Sequence, residues 1–392
     1  MKIKTLIITS VGHFINDGNG AVLPVLYAFL VSHLGFSNFL IGILATIYNG
    51  ISALLSPVIT RLTTSIPKTG IGIGILLWAL GLLLLGYSVS LASLPIVVIS
   101  IIVCGFASTF YHPLGSQMLY IAFRGSSGTA MGINGSLGSL GRALYPTISL
   151  LLFTLLDDMK LTLWIIVLIS VVASLTIFIL PLKTITPIQS ILSKRESPDK
   201  VMKISIIVLL TIIAFLRSVF QSTVMQFLPT FLLLNYGYQY NTFLGLTVTI
   251  TYAGSIIGQP LMGFLSDRLG RRTVLGISGL GSIVTLLLFT IFPYIILLFF
   301  FGLFTFTGFP LLLSTAGDYV PRRSVGFANS LVWGIGVTGG GSIGPLITGV
   351  LSQFIGLGKS LLIMMIFAVA ALMLILKLPK PKKQSKTQLF GE

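Results

Sequence analysis

Gly263-Phe264-Leu265-Ser266-Asp267-Arg268-Leu269-Gly270-Arg271-Arg272 lies between two long apolar runs and packs three arginines and an aspartate into ten residues. The rest of the chain explains why so charged a loop stands between such oily neighbours. Of its 392 residues 55% are hydrophobic and only 8% are charged, against about 25% charged in ordinary soluble domains. So little polar surface cannot cover a globule in water, and the chain is expected in lipid. The apolar runs recur along its length and are about 20 residues long, the length a helix rising about 1.5 Å per residue needs to cross about 30 Å of hydrocarbon. Strand barrels are the only other spanning solution. They would alternate apolar and polar positions, whereas runs such as 164–180 and 361–376 are continuous.

Twelve spans are expected, near 5–31, 39–59, 70–89, 94–121, 128–155 and 161–182, and then near 204–234, 241–265, 273–292, 294–316, 326–354 and 360–377. The N-terminal run follows Lys2 and Lys4 like a secretion signal, but His13, Asn16 and Asp17 interrupt it, and it reads as a retained first span. Cys104 is the single cysteine and excludes an internal disulfide.

The net charge of +16 raises the question of a nucleic-acid partner, and the position of the cations answers it. Threading the chain back and forth puts 20 of the 24 cations on one face, including Arg61, Lys68, Arg124, Lys183, Arg268, Arg271, Arg272, Arg322, Arg323 and the tail lysines, and leaves Lys160 and Lys359 on the other. The positive-inside bias makes the first face cytoplasmic, with both termini inside. The charge then serves orientation and contact with anionic lipid, and no nucleic acid is expected.

Internal repetition divides the chain. Gly105 and Pro113 recur 197 residues later as Gly302 and Pro310, Gly128 recurs 198 later as Gly326, and Pro57 recurs 203 later as Pro260. The expected architecture is an all-α membrane protein of two pseudo-symmetric six-helix bundles, 1–182 and 204–378, joined by a polar linker over 183–203 and followed by a basic tail over 379–392. A cavity between such halves is a natural ligand site.

The loop from Gly263 to Arg272 resembles the cytoplasmic loop motif of the major facilitator superfamily, Gly-x-x-x-Asp-Arg-x-Gly-Arg-Arg, here between the eighth and ninth spans. Within that superfamily, His13-Phe14-Ile15-Asn16-Asp17, Phe110-Tyr111-His112-Pro113 and the glycine-rich fifth span resemble the fosmidomycin-resistance branch of drug exporters. The resemblance implies a twelve-helix carrier, by default a monomer, in which Gly263, Asp267, Arg268, Gly270, Arg271 and Arg272 act as a conformational latch. Two stretches depart from the pattern. The first-half loop from Thr60 to Lys68 has lost the carboxylate and the glycine, and Gly141-Arg142-Ala143-Leu144-Tyr145-Pro146 carries an arginine and a tyrosine where that branch suggests small residues. For Asp267, elementary electrostatics allows two partners, the positive N-terminal end of the eleventh helix near Gly326 or a neighbouring arginine.

A charged side chain at mid-bilayer costs at least about 2.5 kcal/mol on insertion scales, so the few present are candidates for function. His13 and Asp17 are four apart and share a helix face. Asp17 is expected to carry the coupling proton with His112 or His13 assisting, and Arg142 and Arg217 to bind an anionic substrate. A permanent ion pair of Asp17 with Arg142 or Arg217 that only tightens the bundle is the competing expectation. His112 precedes Pro113 and could instead cap a freed carbonyl, and His33, at a span end, is expected to be a wet loop histidine.

Asn16, Asn49, Gln221 and Gln226, whose amides avoid hydrocarbon, join the two arginines as expected substrate contacts, together with Tyr111 and Tyr145, which as aromatics either line the cavity or face lipid. Other aromatics, among them Tyr27, Tyr48, Trp78, Tyr252 and Trp333, either line the cavity or face lipid, and Gln117, Asn134 and Gln259 are expected inside. The glycines Gly132, Gly135, Gly138 and Gly141 recur every three residues and let helices approach closely. They follow no strand and precede no phosphate-binding lysine, so no nucleotide is implied. No spacing in the chain resembles a metal site, and no cofactor is expected. The expected activity is proton-coupled export of a small amphipathic or anionic compound by alternating access, with uptake of an organic anion, or a channel or membrane sensor, as the alternatives. No nucleophile constellation suggests an enzyme.

Overall fold

The computed structural model describes residues 2–63, 65–123, 127–181, 203–321 and 324–379. The expected linker up to residue 202, the tail from 380, and Arg124, Arg322 and Arg323 lie outside the described residues, as do the surroundings of Gly326. Among the described residues, twelve helical spans are long and apolar enough to cross a membrane.

The first half comprises α1 (Lys2–Leu34), α2 (Asn38–Thr63), α3 (Pro67–Ser90), α4 (Leu94–Phe123), α5 (Ser127–Leu156) and α6 (Met159–Ile179). The second comprises α7 (Ile204–Tyr236), α8 (Thr242–Leu269), α9 (Arg271–Ile291), α10 (Ile295–Thr305), α11 (Gly308–Asp318), α12 (Val325–Ser330), a π-helical segment (Leu331–Thr338), α13 (Gly339–Ile355) and α14 (Leu357–Ile375). Local chemistry sets several ends. Asp158 accepts from the Leu161 amide at 3.0 Å and caps α6, and Asn241 accepts from the Phe243 amide and caps α8. Gly270 turns α8 into α9 with φ at +88°, a conformation other residues adopt at a cost.

Two spans differ from their reading as continuous helices. The tenth breaks at Phe306 and Thr307, because the Pro310 ring would press on the Phe306 carbonyl and the proline has no amide to bond it. The eleventh passes through the π-helical segment, which contains Gly334 and Gly336, where the Gly334 carbonyl accepts from both the Gly339 amide and the Thr338 hydroxyl.

The halves meet through α1 with α7, α2 with α13 and α5 with α8. The seam lies toward the loop face, away from the chain termini. Thr46 donates to the Ser342 carbonyl at 2.7 Å, the Thr147 and Thr249 hydroxyls lie 2.7 Å apart, and Tyr240 donates to the Val25 carbonyl at 3.0 Å. At Gly42, a side chain would run into the Pro345 carbonyl, so glycine is what lets α2 touch α13. The apolar core follows the same polarity. One cluster fills the first half along its length, from Ile8 and Met118 to Tyr27 and Ile41, and crosses into the second only through residues such as Phe227 and Leu244, while Ile207, Leu210, Val274 and Ala316 form a separate core in the second half near the termini. Among the described residues the halves are therefore joined on the loop face, opposite the chain termini, and parted on the terminal face.

Candidate functional site

Asp17 is the sixteenth residue of the 33-residue α1, midway along the span, and its side chain is 4% exposed. Three potential cations reach its carboxylate: His13 Nε2 at 3.1 Å from Oδ2, Arg142 at 3.5 Å from Oδ2 and His112 Nε2 at 3.4 Å from Oδ1. Asn16 donates to Oδ1 at 3.0 Å and accepts at Oδ1 of its own amide from the Trp78 indole at 3.0 Å. Oδ2 has no donor in line, since His13 and Arg142 approach it off-axis.

The imidazole of His13 is held from three sides. It stacks on Tyr111 with centroids 4.6 Å apart, and Gly138 leaves room for it because a side chain there would overlap the ring. Its Nδ1 lies 2.9 Å from both the Asn134 carbonyl and Asn134 Oδ1. With acceptors on that side and the Tyr111 hydroxyl also 2.9 Å from Oδ1, Nδ1 bears a hydrogen and Nε2 faces the acid. Nε2 of His13 and Oδ2 of Asp17 lie 3.1 Å apart, close enough for a proton on either group to bridge them once the ring and carboxyl align.

Two sides of the site open onto the other half. The side chain of His112 is 39% exposed and lies beside Trp333 of the π-helical segment, with centroids 5.9 Å apart. Arg142 stands 5.9 Å from the centre of the Phe306 ring at the break in the tenth span, and its Nε is unpartnered. His13, Asp17 and His112 bring their ligand atoms within 4.8 Å of one another, a grouping that linear spacing concealed. The guanidinium of Arg142 beside the same carboxylate opposes a metal cation there.

Other expected site residues lie elsewhere. Tyr145 is buried against Gly18 and Phe14 with its hydroxyl unpartnered. Asn49 donates to its own helix at Ala45 beside Gly341 of the second half, and Gln226 is part-buried with Oε1 unpartnered. Arg217 is not gathered to Asp17. It points between α9, α10 and α14, donating to Ser278 at 3.0 Å and the Thr305 carbonyl at 3.4 Å, with Gln221 nearby. His33 is exposed at the helix end, yet its ring stacks on Phe29 with centroids 4.4 Å apart.

At the loop between α8 and α9, Arg271 reaches Asp267 at 3.3 Å and Asp318 at 3.2 Å, so of the two partners open to Asp267 the structure contains the arginine. Arg272 donates to the Leu378 carbonyl at 2.9 Å, and Arg268 lies over Phe264 at 4.1 Å. These partners all belong to the second half, as the parted terminal face requires. A side chain added at Gly263 would meet nothing within 4 Å, so close packing does not account for the glycine there. Phe306 and Asp318 were not singled out by sequence reasoning. The Thr305-Phe306-Thr307-Gly308 stretch, polar and small within an apolar run, was the available signal for Phe306.

The sequence profile of the Major Facilitator Superfamily matches residues 9–247 and 210–392. The chain is 24% identical over 366 residues to the fosmidomycin resistance protein of Escherichia coli, covering 88% of this chain and 85% of that one. It is 30% identical over 148 residues to the MFS-type transporter YfnC of Bacillus subtilis and 36% identical over 156 residues to the multidrug resistance protein MdtG of Serratia proteamaculans, spanning in each case 36% of the relative's length. Among solved structures it resembles a bacterial homologue of the human lysosomal transporter Spinster in an inward-facing, occupied conformation, with a TM-score of 0.77 at 14% identity and 95% of both chains covered. The nucleoside transporter NupG superposes with a TM-score of 0.69 at 15% identity, covering 96% of this chain and 98% of that one.

Proposed function

The chain belongs to the Major Facilitator Superfamily, and we propose that within it the protein is a proton-coupled secondary transporter that exports a small amphipathic compound by alternating access. As a carrier it is not an enzyme. The observation that carries the reading is the buried cluster midway along α1 in which His13 and the partly exposed His112 both reach the Asp17 carboxylate, groups suited to passing a proton. Drug-resistance proteins among the relatives support export of an amphipathic substrate. The orientation supported by 20 of 24 cations on the terminal face puts that face in the cytoplasm, so the conformation described is open inward and closed outward.

In this cycle a substrate entering from the cytoplasm displaces the proton at Asp17, and the loaded seam rearranges to open outward. Return requires protonation from outside. Competition of substrate and proton for one carboxylate gives antiport, because each can occupy Asp17 only when the other has left. Asn16 and Trp78 fix the carboxylate, and Tyr111 and Asn134 fix His13.

One observation favours a second reading, uptake of an organic anion together with protons. Arg142 already lies 3.5 Å from Asp17, so an anion that takes Arg142 leaves the carboxylate without that partner and favours its protonation. Anion and proton would then bind together and travel the same way. Purified protein in vesicles with a pH-sensitive dye inside decides between them. Fosmidomycin, a simple carboxylate and a lipophilic cation are added in turn under an imposed pH gradient. Proton movement opposite to the compound supports antiport, movement with it supports cotransport, and ohmic currents without saturation refute a carrier altogether.

A further inference from the structure

Arg217 is 6% exposed, as deep in the second half as Asp17 is in the first, being the fourteenth residue of the 33-residue α7. No carboxylate lies within ion-pair distance of it among the described residues. A guanidinium buried without a countercharge is expensive, so its presence calls for a reason. That reason lies in what it touches, the broken end of the tenth span.

The break at Phe306 and Thr307 ends α10 within a membrane span, where the last carbonyls of a helix must find partners inside the protein. Side chains gather on them. Arg217 of α7 donates through Nη2 to the Thr305 carbonyl at 3.4 Å and to the Ser278 hydroxyl of α9 at 3.0 Å. The Ser278 and Thr307 hydroxyls lie 2.7 and 2.8 Å from the Phe304 carbonyl and 3.1 Å from each other. Gly308, the first residue of α11, makes room for the guanidinium, since a side chain there would overlap it. Arg217 thus caps α10 at the point where the span is interrupted, and ties the interruption to α7 and α9.

Between the capped carbonyls and Gly308 stands Phe306, one of two rings that the second half presents to the cluster around Asp17, the other being Trp333. The Phe306 ring centre lies 5.9 Å from the guanidinium carbon of Arg142 and 5.3 Å from the Tyr252 ring. We propose that Arg217 is a positioning residue for that cluster: by capping α10 it fixes the break, and the break holds Phe306 beside Arg142. The arginine acts on the site without touching it. Its bearing on transport rests on the reading of the Asp17 cluster as the coupling site, whereas its hold on the Phe306 ring does not.

A para-fluorinated phenylalanine incorporated at position 306 of the full-length purified protein reports the surroundings of that ring by fluorine NMR. Arg142→Gln should shift the resonance, because the cation leaves the ring. In the Arg217→Gln background the resonance should begin at a different position, and the response to Arg142→Gln should be lost. If Arg217→Gln does not fold, Gly308→Ala makes the same test, since it keeps the arginine and drives only the flexible end of its side chain from the break. An arginine that merely stabilised the bundle would lower the melting temperature in these variants and leave the response to Arg142→Gln intact, and that result would overturn the proposal. So would a resonance indifferent to Arg142→Gln in the otherwise native chain. The measurement uses neither substrate nor pH gradient, so its outcome is separate from the flux experiments that test proton coupling at Asp17.

Discussion

Replacing Asp17 by Asn keeps the shape of the side chain and removes its charge, so its effect follows from the contacts that end on that carboxylate. The nearest fixed cation is Arg142, 3.5 Å away. Coulomb attraction at that distance is about 5 kcal/mol at an effective dielectric of about 20 and about 1 kcal/mol at about 80. The Arg142 side chain is 29% exposed toward the parted face, which places the value near the lower figure. An anion that must compete with Asp17 for Arg142 should therefore bind about tenfold more tightly once the carboxylate is gone. The same change removes the proton-carrying acid. The assay compares two fluxes in vesicles containing Asp17→Asn: exchange of labelled compound at equal pH on both sides, and accumulation driven by a pH gradient. Exchange should persist and accumulation should vanish. Gradient-driven accumulation at the wild-type level would remove Asp17 as the proton carrier and with it the proposed coupling.

Cysteines replacing Thr154 and Thr242, whose hydroxyls lie 3.2 Å apart across the seam, should form a disulfide that holds the loop face shut. Transport should stop on oxidation and return on reduction, and transport unaffected by oxidation would mean that this face need not open. Gly141→Val puts a side chain onto the Phe14 carbonyl and should lower stability by about 1–3 kcal/mol through overpacking, whereas Gly132→Ala, with nothing within 4 Å, should be neutral or stabilising; melting curves compare them. Arg271→Ala removes the group joining Asp267 and Asp318, both partly exposed, and should cost no more than about 1 kcal/mol of stability while slowing transport. A large loss of stability with unchanged transport rate would make that loop a structural clamp and not a latch.

The twelve spans were legible because length and apolarity alone decide whether a helix crosses lipid, and twelve such spans are present among the described residues. The gathering of His13 around Asp17 was legible for a similar reason, as residues four apart on a helix share a face. His112 and Arg142 come from other helices, and what announced them was only the cost of a polar group in hydrocarbon. The same cost announced Arg217 equally loudly. Depth along a span can be read from the sequence, but the direction a side chain faces depends on which neighbours its helix acquires, and α7 turns Arg217 toward α9 and α14 rather than toward the seam. The break at Phe306 was likewise hidden, because Pro310 predicts a disturbed turn, while Pro113 at the matching position lies inside the unbroken α4.

The closed seam combines two kinds of contact: hydroxyls and a side-chain-free crossing at Gly42, Thr46, Thr147 and Thr249, and an aromatic cluster in which Tyr240 of the second half packs on Phe29, His33 and Phe153 of the first. Parting it hands the carbonyls and hydroxyls to water instead of stranding them, but bares the aromatic faces, whose hydration is unfavourable. The empty carrier should thus rest in the form described, and the contacts its cargo makes have to offset that aromatic exposure before the other face can open.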